Sequence, residues 1–281
     1  MGRRRLKATT RTPPTAHSDV LLRDPRLNLR LDVAYDGSSF HGFARQRDVR
    51  TVQGEVESAL QKIFSREVRT TGAGRTDAGV HALGQVMNTR DAPDEVDPGT
   101  VLDSLNGMLG PAMAFTDCRE AGDRFDSRFS ARSRTYVYAI LEGRVPDPFL
   151  AWQALHHREL LDVEAMNEAA GHLLGVHDFG SFGRVEEGRS AKRTLYELKV
   201  WRARNLVRLR ARANAFIHQM VRSLVGTLIQ VGEHRRTPDE IVEVLRARDR
   251  AAAGPVAPSH GLCLVSVEYD DGWSRPFDPV K

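Results

Sequence analysis

One acidic residue stands within a glycine-rich loop of the kind that usually binds phosphate. Residues 72–81 read GAGRTDAGVH, with Arg75 two positions before Asp77. Glycines allow a substrate to approach the backbone closely, and an ionised aspartate can act as a nucleophile or as a base. The structural alternative is an Asx-turn, in which the carboxylate bonds only its own backbone amides. The residue types alone leave both interpretations open.

The loop fits neither of the common nucleotide-binding motifs. Asp77 occupies the position of the third glycine of G-x-G-x-x-G, and Val80 stands where a P-loop requires lysine. The sequence contains no H-E-x-x-H, and its 10 histidines show no metal-ligand spacing. The doublet His156-His157 is expected to have a structural role or to lie on the surface. We therefore expect no metal and no cofactor.

Composition indicates a soluble protein of one large domain or two of ordinary size. The chain has 281 residues, of which 41% are hydrophobic and 28% are charged. No apolar run approaches the roughly 20 residues that a membrane-spanning helix needs. The 2 cysteines, Cys118 and Cys263, lie far apart, which argues against a disulfide framework. We expect a cytoplasmic protein that does not bind membranes.

Positive charge is concentrated at the N-terminus. The chain has a net charge of +4, whereas residues 1–30 contain eight Arg or Lys and two Asp, which leaves −2 for the remainder. Residues 1–28 are predicted to form a basic, disordered tail, with a transit peptide as the alternative. An anionic partner must therefore be bound by local arginine clusters in the body of the protein.

Apolar spacing alternates between strand and helix periods, and the order repeats loosely in two halves. It predicts strands over residues 29–35, 85–89, 112–115, 136–141, 195–201, 206–213 and 263–269, and helices over 52–63, 98–109, 163–174 and 216–231. Asp97-Pro98 and Asp162 are predicted to start the second and third of these helices, and Thr237-Pro238-Asp239-Glu240 reads as a capping box. This pattern predicts an α+β protein of two ferredoxin-like or RRM-like units with mixed, mainly antiparallel sheets. Their predicted bounds are residues 29–122 and 123–272, followed by a tail of residues 273–281.

Three arginines alternate with apolar residues in one predicted strand. Arg208, Arg210 and Arg212 would lie on a single face of it. A solvated sheet face is the simpler explanation. Together with other basic residues, however, they suggest a cleft that faces RNA; these residues are Arg128, Arg132, Arg134, Arg189, Lys192 and Arg193.

The longer string around Asp77 resembles the signature loop of the TruA family of tRNA pseudouridine synthases. That string is TGAGRTDAGVHALGQV at residues 71–86. Six further segments match the family in order: YDGSSFHGFARQ (35–46), TVQGEVESAL (51–60), FDSRFSARSRTYVYAI (125–140), DFGSF (178–182), NAFIHQMVRSLVGTLIQVG (214–232) and HGLCLVSVEY (260–269). The resemblance extends from about residue 29 to about residue 270, and it implies the pseudouridine synthase fold, with two domains flanking a basic active-site cleft.

The resemblance also implies roles for individual residues. Asp77 would be the catalytic aspartate, Tyr136 would pack against the target uracil, and Arg222 would pair with Asp77. Arg75 would help displace the target nucleotide, and Leu262 would help wall the pocket. The positions that match tRNA-binding segments are Phe125, Asp126, Ser127, Arg128, Phe129, Arg189, Ser190, Ala191, Lys192 and Arg193. Asp126-Ser127 departs from the His-Ala often found there, which weakens the expected contacts at those two positions.

The implied reaction converts uridine to pseudouridine at positions 38, 39 and 40 of the tRNA anticodon stem-loop. This isomerisation needs neither a metal nor a cofactor, but the uridine must be flipped out to reach Asp77. Attack of Asp77 on the ribose and removal of a ribose proton to give a glycal both remain open. The family also implies a homodimer, with one tRNA touching both subunits. Two other functions compete: an RNA-binding or tRNA-folding protein without catalysis, and a hydrolase with an aspartyl nucleophile.

Overall fold

Ten strands form one mixed sheet that crosses both halves of the chain. The structure is a computed structural model that describes residues 26–185 and 188–270. The strands are β1 (Arg26–Tyr35), β2 (Thr71–Gly72), β3 (His81–Pro93), β4 (Met113–Ala121), β5 (Ser133–Glu142), β6 (Leu155–His157), β7 (Gly175–Asp178), β8 (Lys192–Ala203), β9 (Leu206–Ala213) and β10 (Leu262–Glu268). The helices are α1 (Val52–Phe64), α2 (Pro98–Leu109), α3 (Val163–Gly171), α4 (Met220–Gly232) and α5 (Glu240–Ala247).

The strand order is β4-β1-β3-β10-β5-β9-β8-β7, with β2 on β3 and β6 on β5. All pairs in this sheet are antiparallel except β10 with β3 and β5 with β6. The expected α+β class with a mixed, mainly antiparallel sheet is therefore confirmed. The last strand of the described residues joins the two halves, because β10 lies between β3 and β5.

Most helix starts follow from side-chain caps that the sequence predicts. The Asp97 carboxylate accepts from the amide of Thr100, with Pro98 opening α2. Asp162 likewise accepts from two amides at the start of α3. In the predicted capping box, the amide and hydroxyl of Thr237 donate to Glu240, although α5 begins only at Glu240.

Helix α4 begins at Met220, four residues later than predicted. His218 exchanges two backbone hydrogen bonds with Arg184, each 3.2 Å long, and this pairing keeps the preceding backbone extended. Gln219 then adopts a left-handed conformation with φ 62°. Phe216 consequently lies outside the helix, and its ring contacts Tyr136 edge-on at a centroid distance of 5.2 Å.

The register of β5 with β9 places the row of arginines away from Tyr136. Tyr136 lies opposite Ala211 and therefore shares its buried face, whereas Arg210 lies opposite Val137 on the other face. Arg208 and Arg212 share the face of Arg210. The expectation that these arginines line the same cleft as the glycine-rich loop is wrong, because neighbouring residues of a strand point to opposite faces.

The predicted tails fall mostly outside the described residues. Of residues 1–28, only residues 26–28 are described, and they open β1 rather than belonging to a tail. Residues 273–281 are also outside the described part. In residues 26–185 and 188–270, no helix combines the length and the apolar character needed to cross a membrane.

Candidate active site

The glycine-rich loop joins β2 to β3 and is held by hydrogen bonds from its surroundings. The Thr76 hydroxyl lies 2.8 Å from the hydroxyl of Tyr35. The Gln85 side-chain amide donates to the carbonyl of Gly74 at 2.8 Å. Gly79 adopts φ 79°, a conformation that side chains rarely tolerate. These contacts fix the backbone on both sides of the aspartate that the loop carries.

Asp77 projects from this loop toward α4. Its Oδ2 accepts a hydrogen bond of 2.7 Å from Arg222, and its Oδ1 lies 3.5 Å from Nε2 of His218. The carboxylate is thus bound across the cleft rather than by the amides of its own loop, so the Asx-turn alternative is wrong. About one fifth of the Asp77 side chain, 21%, remains exposed, which leaves it accessible from the cleft.

Arg222 is oriented by a second acceptor. Its Nε donates to the carbonyl of Ala257 at 2.7 Å, while its Nη1 bonds Asp77. The guanidinium therefore bridges the glycine-rich loop and the segment before β10. A cation held this way orients the carboxylate of Asp77.

Tyr136 and Leu262 form apolar walls beside Asp77. Both line the same cleft, and both are largely buried. The Tyr136 ring lies so close to the loop that a Cβ at Gly74 would come within 3.3 Å of its hydroxyl. Burial raises the pKa of the Tyr136 hydroxyl well above its ordinary value, so this group remains a neutral phenol.

His81 secures the far end of the loop. Its Nδ1 accepts from the amide of Gly37 at 3.1 Å. Its Nε2 lies 2.6 Å from the carbonyl of Trp152 and 3.1 Å from that of His260. Its Nδ1 also lies 3.1 Å from Oδ1 of Asp36. His81 thereby ties the glycine-rich loop to the segment that carries Leu262.

Arg134 borders the cleft but is not available to bind RNA with its whole guanidinium. It is buried and donates to the backbone carbonyls of Ala73, Arg128 and Asn214. Burial lowers the pKa of this guanidinium from its ordinary value. The predicted role as an RNA-facing cation is corrected accordingly, because its donors are used to hold the glycine-rich loop against β5.

The cleft above Asp77 has a volume of about 520 Å³ and is strongly basic. Apart from Arg134 and Arg222, five arginines line it: Arg75, Arg128, Arg184, Arg189 and Arg193. The structure thus brings Asp77, Arg75, Tyr136, Arg222 and Leu262 together around one space.

The predicted tRNA contacts in residues 125–129 are placed less uniformly. Ser127 is completely buried, and its hydroxyl donates to the carbonyl of Thr71. Asp126 accepts from two following backbone amides and shapes the turn. Phe125 packs against an aromatic ring near the end of β10. Phe129 is 80% exposed but lies outside the residues that line the cleft.

Residues 189–193 divide in a similar way. Arg189 and Arg193 line the cleft, whereas the other three do not. The Ser190 hydroxyl accepts from the amide of Lys192. Ala191 is partly buried against the core, and Lys192 is exposed. Only the two arginines of this segment are therefore placed to reach a ligand in the cleft.

Sequence reasoning missed two basic residues of the cleft, His218 and Arg184. His218 precedes Arg222 by four residues, which is the spacing of neighbours on one helix face. That signal was present in HQMVR, although the structure places His218 before the helix. Arg184 carried no such signal, because only the pairing of its backbone with His218 brings it to the cleft.

Among residues 26–185 and 188–270, no three His, Cys, Asp or Glu side chains come together as a metal site would require. The absence of a cofactor from the reaction remains a prediction.

Comparison with known proteins assigns the chain to a family. The model of the tRNA pseudouridine synthase family matches residues 33–130 and 169–270. A protein named tRNA pseudouridine synthase A from Frankia casuarinae is 46% identical over 249 residues, covering 88% of this chain and 90% of that protein. Proteins of the same name from Chloroflexus aurantiacus and Sinorhizobium fredii are each 43% identical, covering 90% and 85% of this chain and 92% and 98% of their own lengths. The chain therefore belongs to the tRNA pseudouridine synthase family.

Proposed function

We propose that this protein isomerises uridine to pseudouridine at positions 38, 39 and 40 of the tRNA anticodon stem-loop. The observation that carries the proposal is the position of Asp77 at the floor of a basic cleft, 2.7 Å from Arg222 and beside the Tyr136 ring. The similarity to proteins named tRNA pseudouridine synthase A supports tRNA as the substrate. The three positions rest on the likeness to the TruA family.

Asp77 is the proposed nucleophile. Arg222 binds Oδ2, whereas among the described residues Oδ1 accepts no hydrogen bond and has Nε2 of His218 beside it at 3.5 Å. One oxygen is therefore oriented and the other is open toward the cleft. Such a carboxylate can assist loss of the base, either at the ribose carbon or by taking a ribose proton.

The walls of the cleft suit a flipped-out uridine. Extruding a nucleotide from a stacked stem costs roughly a few kcal/mol. Stacking on an aromatic ring such as Tyr136 contributes about 1–3 kcal/mol per base, and exposed Arg75 can fill the vacated space or bind the phosphate. Leu262 restrains the freed uracil while it rotates.

The remaining arginines suit the tRNA backbone. Arg128, Arg189 and Arg193 line one side of the cleft and can bind phosphates. Recognition would be mainly of shape, as is usual for structured RNA. A homodimer, with one tRNA touching both subunits, is part of this proposal and rests on the family likeness. The cytoplasmic location and the division into domains at residues 29–122 and 123–272 are also part of it, and they rest on the composition and the apolar spacing of the sequence.

The direct test is incubation of the purified protein with unmodified tRNA transcripts, without metal or cofactor. Pseudouridine is then mapped by carbodiimide treatment and primer extension. We expect new stops at positions 38–40. Binding without any stop would favour the competing function, an RNA-binding protein without catalysis.

Asp77→Asn is expected to retain tRNA binding and to lose turnover, because the neutral amide cannot act as the nucleophile. Asp91→Asn is the matched control. Asp91 also bonds an arginine, Arg26, at 2.9 Å, and 23% of its side chain is exposed, but it lies far from the cleft residues. Turnover by Asp77→Asn would show that another residue is the nucleophile.

A further inference from the structure

The proposed isomerisation needs a base that the preceding assignments leave unnamed. After C5 of the rotated uracil has bonded to the ribose, C5 still carries its proton, and this proton must leave. Among the described residues that line the cleft, three have a group that can accept a proton: Asp77, Tyr136 and His218. The choice among them can be argued from their contacts.

Two of the three are poorly suited to this step. Burial raises the pKa of the Tyr136 hydroxyl, which keeps it protonated and unable to accept. Asp77 already serves at the ribose, and one of its oxygens is bound by Arg222. An imidazole is in general a stronger base than a carboxylate. His218 is therefore the best-suited acceptor.

The backbone aims His218 into the cleft. Its amide and carbonyl both pair with Arg184, and the next residue, Gln219, adopts φ 62°. A left-handed conformation at a residue other than glycine is uncommon and is often found at functional sites. The imidazole is more than half exposed, with 56% of its surface open. The backbone position of His218 is therefore fixed, while its imidazole ring remains accessible.

The imidazole is near Asp77 without being bound by it. The 3.5 Å between His218 Nε2 and Asp77 Oδ1 exceeds the usual length of a hydrogen bond. In the tautomer with its proton on Nδ1, Nε2 keeps an unshared electron pair. An atom of the uracil that reaches Oδ1 therefore also comes close to Nε2.

We propose that His218 is the general base that removes the C5 proton. This role rests on the proposed pseudouridine synthesis. The C5–H bond breaks and its proton bonds to Nε2, while its electron pair forms the C5=C6 bond. The N1=C6 electron pair moves to N1, which takes a proton from water, and the imidazolium returns its proton to water.

The test measures breakage of the C5–H bond directly. tRNA transcripts are prepared with hydrogen or with deuterium at C5 of uridine, and kcat and KM are compared for the wild type and His218→Gln. General bases typically contribute about 100-fold or more. We expect His218→Gln to lower kcat by about that factor, with tRNA affinity retained. A primary isotope effect should appear in the variant, because proton removal becomes rate-limiting.

His234→Gln is the matched control. His234 also lies 3.5 Å from an aspartate, Asp162, but on an exposed surface outside the cleft. It should keep wild-type kcat. Unchanged kcat in His218→Gln, or a lowered kcat without an isotope effect, would overturn the role of His218 while leaving the proposed function standing. Absence of pseudouridine from the wild-type reaction would overturn both.

Discussion

At the scale of single residues, Arg222 has two tasks that depend on the shape of its guanidinium. Nη1 binds Asp77 and Nε binds the carbonyl of Ala257, each at 2.7 Å. The two acceptors come from different segments of the chain. A planar fork with several fixed donors can hold both, whereas the single ammonium of lysine cannot keep the same geometry.

Arg222→Lys is therefore expected to fold and to lose activity. Hydrogen bonds to charged groups contribute about 1.5–3 kcal/mol, which corresponds to roughly 10- to 100-fold in kcat if the bond matters most in the transition state. Single-turnover kinetics on tRNA transcripts would measure this loss. Arg26→Lys, in the exposed pair with Asp91, is the control that should keep full activity. Equal activity of the two variants would mean that Arg222 only fills space.

At the scale of elements, Glu142 at the end of β5 joins three parts of the C-terminal half. Its buried carboxylate accepts two bonds from Arg202 on β8 and one from the amide of Leu161, just before α3. Burial opposes the charged form, but these hydrogen bonds outweigh it, and the pKa of the Glu142 carboxyl is lowered from its ordinary value.

The lowered pKa determines how the contribution of Glu142 to the free energy of unfolding depends on pH. A carboxyl with a lowered folded-state pKa stabilises the protein fully above its unfolded-state pKa, about 4.3. The contribution is lost as the pH falls through the folded-state pKa. We expect Glu142→Gln to lower the free energy of unfolding by about 1.5–3 kcal/mol at neutral pH, with a smaller difference in acid. Urea titrations across this range would measure both.

Glu243→Gln is the control for that measurement. Glu243 pairs with Arg246 at 2.7 Å, but both side chains are about 70% exposed. Exposed pairs contribute between about 0 and 1 kcal/mol. If Glu142→Gln lowers the free energy of unfolding no more than the control does, or if the loss grows in acid, the stabilising role assigned to the Glu142 carboxylate is contradicted.

The same elements show what the sequence can predict. Caps such as Asp97 and Asp162 act on amides two or three residues away, so local pattern was sufficient to place them. The start of α4 could not be predicted, because the backbone of His218 pairs with Arg184, 34 positions earlier in the chain. The apolar spacing of residues 216–231 does not reveal this pairing, and it therefore suggested one longer helix.

The candidate site likewise contains residues that the sequence predicts and residues whose placement depends on distant contacts. Asp77, Tyr136, Arg222 and Leu262 were predicted from the family resemblance, and the structure brings them together. Ser127 was predicted beside them as a tRNA contact, yet its burial depends on how residues 125–129 pack on the sheet. Residue identity in a motif does not specify which side chain points outward.

At the scale of the whole molecule, the sheet separates two groups of arginines. One group, Arg128, Arg189 and Arg193, lines the cleft with Asp77. The other group, Arg208, Arg210 and Arg212, lies on the opposite face of β9. There, Arg210 lies 3.9 Å from Glu197 and Arg212 lies 3.6 Å from Glu268. Acidic neighbours reduce the attraction of this second group for phosphate.

This separation predicts different salt dependence for two triple variants. Arg128→Gln, Arg189→Gln and Arg193→Gln together should weaken tRNA binding and reduce the slope of log K against log salt by about 2–3, because each lost phosphate contact removes about 0.9. Arg208→Gln, Arg210→Gln and Arg212→Gln together remove the same charge from the other face, and should leave the slope unchanged. Filter binding of one tRNA over a range of salt concentrations would compare them. An equal loss of slope in both variants would mean that the tRNA reaches around the sheet to its other face.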